Sequence, residues 1–220
     1  LVIAIDGPAA SGKSTTARLV AERLGYLHVD TGAMYRAMTL KVLRSDVDPD
    51  DAAGVDAVTL RTEITITTGA GRPGVQLDGV DVSEEIRSPE VTRAVSQVSS
   101  LRSVREVMVR EQRRLAAGGA VVLDGRDIGS VVLPGADVKI FLVADAAERA
   151  RRRRKELLEN GIEVGLDELE TEIRERDLKD SSRDISPLRK ADGAIEVDTS
   201  RLTVSEQVER ILDVVRKCLN

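Results

Sequence analysis

The stretch Gly7–Thr15, "GPAASGKST", follows directly on "LVIAID", Leu1–Asp6, and decides how the chain folds. Val2–Ile5 is a nearly continuous apolar run, the signature of a parallel strand covered on both faces. From Lys13 the pattern turns helical: Ala17, Val20, Ala21 and Leu24 recur at three- and four-residue spacing until Gly25 stops them. A strand that runs into a glycine-bounded loop opening a helix is the setting in which G-x-x-x-x-G-K-[ST] cradles phosphates. Gly7 and Gly12 allow backbone geometry that a β-carbon would obstruct. The loop N–H groups then point inward, and the helix N-terminus adds positive potential. Gly7, Pro8, Ala9, Ala10, Ser11, Gly12, Lys13, Ser14 and Thr15 are therefore read as the binding loop of a nucleoside triphosphate. Lys13 reaches the outer phosphates and Ser14 can hold magnesium. The same cradle serves motors, switches and kinases, so the reaction stays open at this point.

The chain downstream alternates strand-like and helical segments. Leu27–Val29 reads as a strand, and Asp30 or Thr31 caps a helix reaching about Arg44. A further helix is expected over Pro49–Leu60. Ile64 and Ile66 then alternate with polar neighbours, and "VQLDGVDV", Val75–Val82, places Asp-Gly between two alternating runs. Thr62–Val82 is thus expected to be a small antiparallel sheet of three strands. Helices are expected over Pro89–Gln97 and Ser103–Ala117, followed by strands at Ala120–Asp124 and Val138–Val143. Beyond these lie helices at Asp145–Glu159 and from Asp167 to at least Lys179, a strand at Ala194–Asp198 and a helix over Thr203–Leu219. Such alternation predicts a parallel sheet with helices on both faces.

Composition narrows the partners. With 41% hydrophobic and 32% charged residues in 220, the chain is an ordinary candidate for one globular domain with insertions. Two Tyr, one Phe and no Trp leave the core to Val, Leu, Ile and Ala, and leave no stacking platform for nucleic acid. A formal charge of -5 also argues against a general nucleic-acid binder. Cys218 is the only cysteine, which suits a reducing cytoplasm, and no long apolar run suggests a membrane span. His28 is the only histidine, so a multi-histidine metal site is impossible; a structural or surface role is expected for it.

Asp124 closes the apolar run "AVVLD" and is the candidate magnesium-side carboxylate beside Ser14. No guanine-reading Asn-Lys-x-Asp segment is present, and Gly125 stands where a motor would carry glutamate. Arginines are plentiful instead. Arg36, Arg105, Arg126, the cluster Arg149–Arg154 and the set Arg176, Asp180 and Arg183 are placed to hold phosphates with planar guanidinium forks. Taken singly, each could equally be a solvated surface charge. Near one cradle, so many suggest two phosphate-bearing ligands. A phosphate acceptor needs no histidine base, because its second pKa is near ~6 and the attacking oxygen is already largely anionic. The chemical difficulty is bringing two anions together, which arginines, Lys13 and magnesium answer. The residues thus read as phosphoryl transfer from ATP to a nucleoside monophosphate.

"IDGPAASGKST", "DTGAMYR", "SQVSS" with "VRE", "LDGRDIGSVV" and "ERDLKDSSR" together resemble the bacterial cytidylate kinases, across Val2–Asn220. The resemblance implies an α/β fold of the P-loop nucleoside monophosphate kinase type: a doubly wound five-stranded parallel sheet, a small antiparallel three-stranded insert and a lid. It implies a core over 1–30 and 105–220, a monophosphate-binding region over 31–104 with the insert at about 62–82, and a lid at about 149–165. It implies transfer from ATP, with Mg2+, to CMP or dCMP. Asp30, Thr31, Gly32, Arg36, Ser96, Arg105, Arg126, Asp127, Arg176, Asp180 and Arg183 would surround the acceptor. Lys13, Arg126, Asp127, Arg149 and Arg153 would serve catalysis, and Ser14 and Asp124 the metal. Asp127 would accept the cytosine amino group, and Arg149 and Arg153, four residues apart on one helical face, would close the lid. A cytoplasmic monomer without membrane or nucleic-acid partners is expected. Another monophosphate such as UMP, or a non-catalytic RNA-binding module dependent on nucleotide, are the alternatives.

Overall fold

The structure, a computed structural model, describes residues 1–67, 74–159, 161–183 and 185–219. The main sheet has five strands in the order β2-β6-β1-β7-β8, built from β1 (Val2–Asp6), β2 (Leu27–Asp30), β6 (Val121–Gly125), β7 (Val138–Val143) and β8 (Ile195–Asp198). β1 pairs in parallel with β6 on one side, Val2 opposite Val121, and with β7 on the other, Ile3 opposite Val138. The crevice beyond the carboxyl end of β1 is where an open sheet of this kind accepts ligands. Chain contacts divide the molecule into two compact units, Leu1–Tyr26 with Gly119–Asn220, and Leu27–Gly118.

In the first unit, α1 (Lys13–Leu24) and α8 (Val204–Leu219) cover the sheet. Ala17, Val20 and Ala21 of α1 meet Ile3, Ile5, Ile140 and Leu142 of the strands and Ile211 and Val215 of α8 in one buried cluster. Gly25 ends α1 in the left-handed conformation, φ 67°, as its place in the sequence predicts. α6 (Ala146–Glu159) and α7 (Leu166–Ser181) share a smaller cluster of Ala150, Leu169 and Ile173. These two helices flank the expected lid loop, of which residue 160 lies outside the described residues.

In the second unit, Asp30 caps α2 (Thr31–Arg44) by accepting the Ala33 N–H at 3.0 Å. α3 (Ala52–Thr59) begins three residues later than expected, because among the aspartates of "DPDD" it is Asp51 that caps it, through the Gly54 N–H. The insert forms the antiparallel sheet β3 (Ile64–Thr67), β4 (Gly74–Leu77) and β5 (Val80–Asp81); residues 68–73 of the expected insert lie outside the described residues. Asp78 and Gly79 turn between β4 and β5 with φ of 50° and 81°, the geometry that favours Asp-Gly in tight hairpins. The Asp78 carboxylate also takes the Lys41 ammonium at 2.7 Å and the Glu63 N–H at 2.9 Å, fastening the hairpin to α2. α4 (Pro89–Val98) and α5 (Arg102–Ala116) complete the unit. α5 belongs to this unit, whereas the sequence places the return to the core at residue 105.

The core is aliphatic, as the composition requires, with one addition: all three methionines, Met34, Met38 and Met108, are fully buried in the second unit. His28 is buried in β2, so it is a strand residue and not a surface one. Among the described residues, no helix is long and apolar enough to cross a membrane.

Candidate active site

The loop after β1 has the geometry a phosphate cradle needs. A β-carbon at Gly7 would lie 2.4 Å from the Leu142 carbonyl oxygen, so no other residue fits without moving β7. Gly12 turns into α1 with φ 87°, and no side chain caps the helix there, as a helix N-terminus that receives an anion requires. The Lys13 ammonium donates to the Pro8 carbonyl at 3.2 Å, folded over the loop. Ser14 donates its hydroxyl proton to the buried Asp124 carboxylate at 2.5 Å. This pairing of the two expected metal-side residues offers oxygen donors alone, which suits a hard cation such as magnesium. Among the described residues, no cluster of three or more His, Cys, Asp and Glu side chains could hold a metal by itself. The remaining ligands of such an ion would come from water and nucleotide.

The loop is braced from behind by residues the sequence reading passed over. The Ser11 carbonyl accepts from Arg152 of α6 and from the Thr199 hydroxyl, each at 3.2 Å. Arg152 also donates to the Thr199 carbonyl at 2.6 Å. Gln207 of α8, fully buried, accepts from the Thr16 hydroxyl at 2.9 Å and donates to the Leu202 carbonyl.

Of the two expected lid arginines, only Arg149 reaches the loop. It is buried, donates to the Ala9 carbonyl at 3.3 Å and pairs with Asp177 of α7 at 2.6 Å. Arg153 instead pairs with Glu156 on its own helix. Arg152 takes the place beside Arg149, since three residues apart shares a helical face as well as four does.

Arg126, just past β6, joins two parts of the unit. Its Nη1 donates to the Gly7 carbonyl at 2.6 Å and its Nε to Asp180 of α7 at 2.8 Å. Arg183 pairs with the other Asp180 oxygen at 2.7 Å, although α7 has ended at Ser181. Asp180 is buried, which alone would raise its pKa; the Arg126 and Arg183 charges, helped by Arg176, overcome this and hold it below the usual carboxylate range.

Asp127 follows Arg126 and is buried. It opens a π-helical turn, Ile128–Val132, in which the Val132 N–H reaches the Asp127 carbonyl at 3.1 Å and the Leu133 N–H the Ile128 carbonyl at 2.7 Å. Such turns are rare and concentrate at functional sites. The sequence reading missed it, and missed Asp6 beneath it. Asp6 accepts the Ile128 and Gly129 N–H groups, one on each carboxylate oxygen, both at 2.8 Å. Burial pushes its pKa up to about 6, against the pull of these two amides.

In the second unit, Arg36 of α2 donates to the Thr92 hydroxyl of α4 at 2.8 Å and to the Ile86 carbonyl at 3.3 Å. Ser96 stands one turn further along α4. Arg105 of α5 is buried, with its guanidinium carbon 5.4 Å from the centre of the Tyr35 ring and a bond to the Ser99 carbonyl at 3.4 Å. Thr31 and Gly32 form the first turn of α2, behind the capping Asp30.

The sequence model of the cytidylate kinase family matches residues 3–217 of the chain. The cytidylate kinase of Bacillus pumilus is 52% identical over 97% of this chain and 95% of its own. That of Lactobacillus johnsonii is 50% identical over 98% and 94%, and that of Desulforamulus reducens 51% identical over 98% and 96%. Among solved structures, an uncharacterized protein from Eubacterium ventriosum superposes with a TM-score of 0.53 at 14% identity, covering 99% of this chain and 98% of that one. A shikimate kinase from Acinetobacter baumannii, in complex with shikimate, gives 0.50 at 14% identity over 98% and 93%. These two likenesses establish the fold alone.

Proposed function

The chain belongs to the cytidylate kinase family, and from that premise we propose that it transfers the γ-phosphoryl group of ATP to CMP or dCMP, giving ADP and CDP or dCDP. It is a nucleoside monophosphate kinase. The observation that carries the reading is Arg126: one guanidinium bonds the first glycine of the donor loop and, through Asp180, is ganged with Arg183. An enzyme that must bring a second phosphate to the first needs several cations at that place.

The chemistry asks little of a base. The acceptor phosphate is already anionic, so the chain's work is to bind, to align the two phosphates and to keep water out. Lys13 and the loop amides are assigned to the donor phosphates, with Gly7–Thr15 as the ATP loop. Ser14 and Asp124 would hold magnesium, which when bound neutralises phosphate charge and fixes the donor's orientation. In the first unit, Arg126, Asp127, Arg176, Asp180 and Arg183 are assigned to the acceptor. In the second, Asp30, Thr31, Gly32, Arg36, Ser96 and Arg105 are. Asp127 is assigned the cytosine amino group; uracil would offer an oxygen there and be disfavoured. Arg149 and Arg152 are assigned to shielding the transfer from water, with Arg153 at the periphery. An acidic chain with a single exposed cysteine supports a cytoplasmic monomer without a nucleic-acid partner.

The test is an acceptor panel. ADP release is followed with ATP and magnesium against CMP, dCMP, UMP, AMP, GMP and buffer. CMP and dCMP are expected to accelerate release most. Release no faster with CMP than with buffer would refute the reading, and equal rates for UMP would remove the role given to Asp127.

A further inference from the structure

Asp127 stands at the N-cap of its π-helical turn, a position where aspartate ordinarily spends its own side chain on the first free N–H groups. It does not do so: no side-chain bond of Asp127 caps the turn. The Ile128 and Gly129 amides go instead to Asp6, 122 and 123 residues earlier in the chain. We propose that Asp6 is a positioning residue that caps this turn in place of Asp127 and fixes where Asp127 and Arg126 stand against the donor loop.

Three bonds carry the argument. Asp6 takes one amide on each oxygen, and the next residue, Gly7, accepts from Arg126. The segments Asp6–Gly7 and Arg126–Gly129 are therefore stapled at three points, one before Asp127 and two after it. The two bonds to Asp6 are shielded from water, since Asp6 is buried and Asp127 beside it is too. Two anionic side chains close together in such a place repel, and Lys13 is the cation that offsets this. A carboxylate kept there against burial and repulsion is matched by the geometry: a backbone amide pair needs two acceptors at a fixed spacing, and a carboxylate supplies both. Gly129 is fitted to the same contact, because a β-carbon on it would come within 3.4 Å of the Asp6 oxygen and 3.3 Å of Ala191.

The inference rests on the assignment of Arg126 and Asp127 to a nucleotide acceptor, and the experiment separates the two. Asp6→Asn keeps one acceptor and turns an amide donor toward the other N–H. Gly129→Ala crowds the same contact while leaving Asp6 an aspartate, and serves if the first variant does not fold. For wild type and both variants, three quantities are measured: exchange rates of the Ile128 and Gly129 amides by NMR, affinity for a non-hydrolysable ATP analogue, and kcat and KM for CMP. The expected result is exchange at least ~10-fold faster at one or both amides, analogue affinity within ~3-fold of wild type, and kcat/KM for CMP lower by ~10–100-fold. Unchanged CMP kinetics in a folded variant whose amides exchange faster would overturn the inference. So would an equal loss of analogue affinity, which would make Asp6 a support of the donor loop alone. A wild-type protein without CMP turnover would refute the functional reading first, whatever the amides do.

Discussion

Replacing Asp180 with Asn tests the arrangement of arginines most directly. Asp180 is buried, and each of its oxygens holds one guanidinium, Arg126 at 2.8 Å and Arg183 at 2.7 Å. Asparagine removes the charge and keeps one acceptor, so one arginine loses its partner and both lose the attraction that gathers them. Breaking a fully buried ion pair costs about 3–5 kcal/mol. The Arg126 and Arg183 side chains are 18% and 12% exposed, so water recovers part of that, and we expect about 2–3 kcal/mol. At about 2–4 °C per kcal/mol for a chain of this size, Tm should fall by about 4–12 °C. Urea unfolding should give the same loss as a shift of midpoint. The acceptor side should suffer more than the donor side, with kcat/KM for CMP down ~10–100-fold and affinity for an ATP analogue nearly kept. The pH dependence is a second readout. Asp180 is held below the ordinary range, so its contribution is complete above pH 3.8 and is lost only as pH falls through its lower, folded value. Wild type and variant should therefore differ by a constant amount from pH 5 to 8. A variant that melts with wild type and turns over CMP normally would refute the idea that this carboxylate gathers the arginines.

Two further predictions follow from neighbouring residues. Arg152→Ala should lower turnover ~10-fold by freeing the Ser11 carbonyl and Thr199, while Arg153→Ala, which breaks only a pair within its helix, should stay within ~2-fold of wild type in the same assay. Asp6 should give a pH signature opposite to that of Asp180. Its pKa is raised to about 6 by burial, with Asp127 adding to the rise and Lys13 opposing it, so the folded state binds its proton more tightly and stability falls as pH climbs from 3.8 to 6. The advantage of wild type over Asp6→Asn in urea unfolding should shrink by about 3 kcal/mol across that range; an advantage independent of pH would contradict the burial argument.

What the sequence made legible was local chemistry. The cradle, the Gly25 stop, the Asp30 cap and the Asp78-Gly79 hairpin each depend on a few adjacent residues, and each stands where it was read. Where several adjacent residues could do one job, spacing alone does not choose between them: four aspartates or prolines precede α3, and five arginines lie on α6. Arg149 and Arg153 were as good a pair by spacing as Arg149 and Arg152. What distinguishes them is Thr199, 47 residues beyond Arg152, which no helical period reveals. Asp6, Thr92, Gln207 and Tyr35 were missed for the same reason. Their roles are defined by partners on other elements, and their residue types alone read as a strand end, a helix surface and a core.

The two carboxylates with opposite shifts divide one task. A site that must hold two phosphates needs arginines that are both fixed and still positive. Pairing every arginine with its own carboxylate would fix them and cancel them. Asp180 avoids this by serving several at once: one negative charge orders Arg126 and Arg183 and feels Arg176, leaving the group positive overall. Asp6 avoids it in another way, by taking backbone amides and no arginine at all. Its charge is balanced by dipoles that cannot move away, at the cost visible in its raised pKa. Rigid geometry thus comes from one aspartate and gathered charge from the other. Arg126, bonded to Gly7 on one side and to Asp180 on the other, is where the two meet.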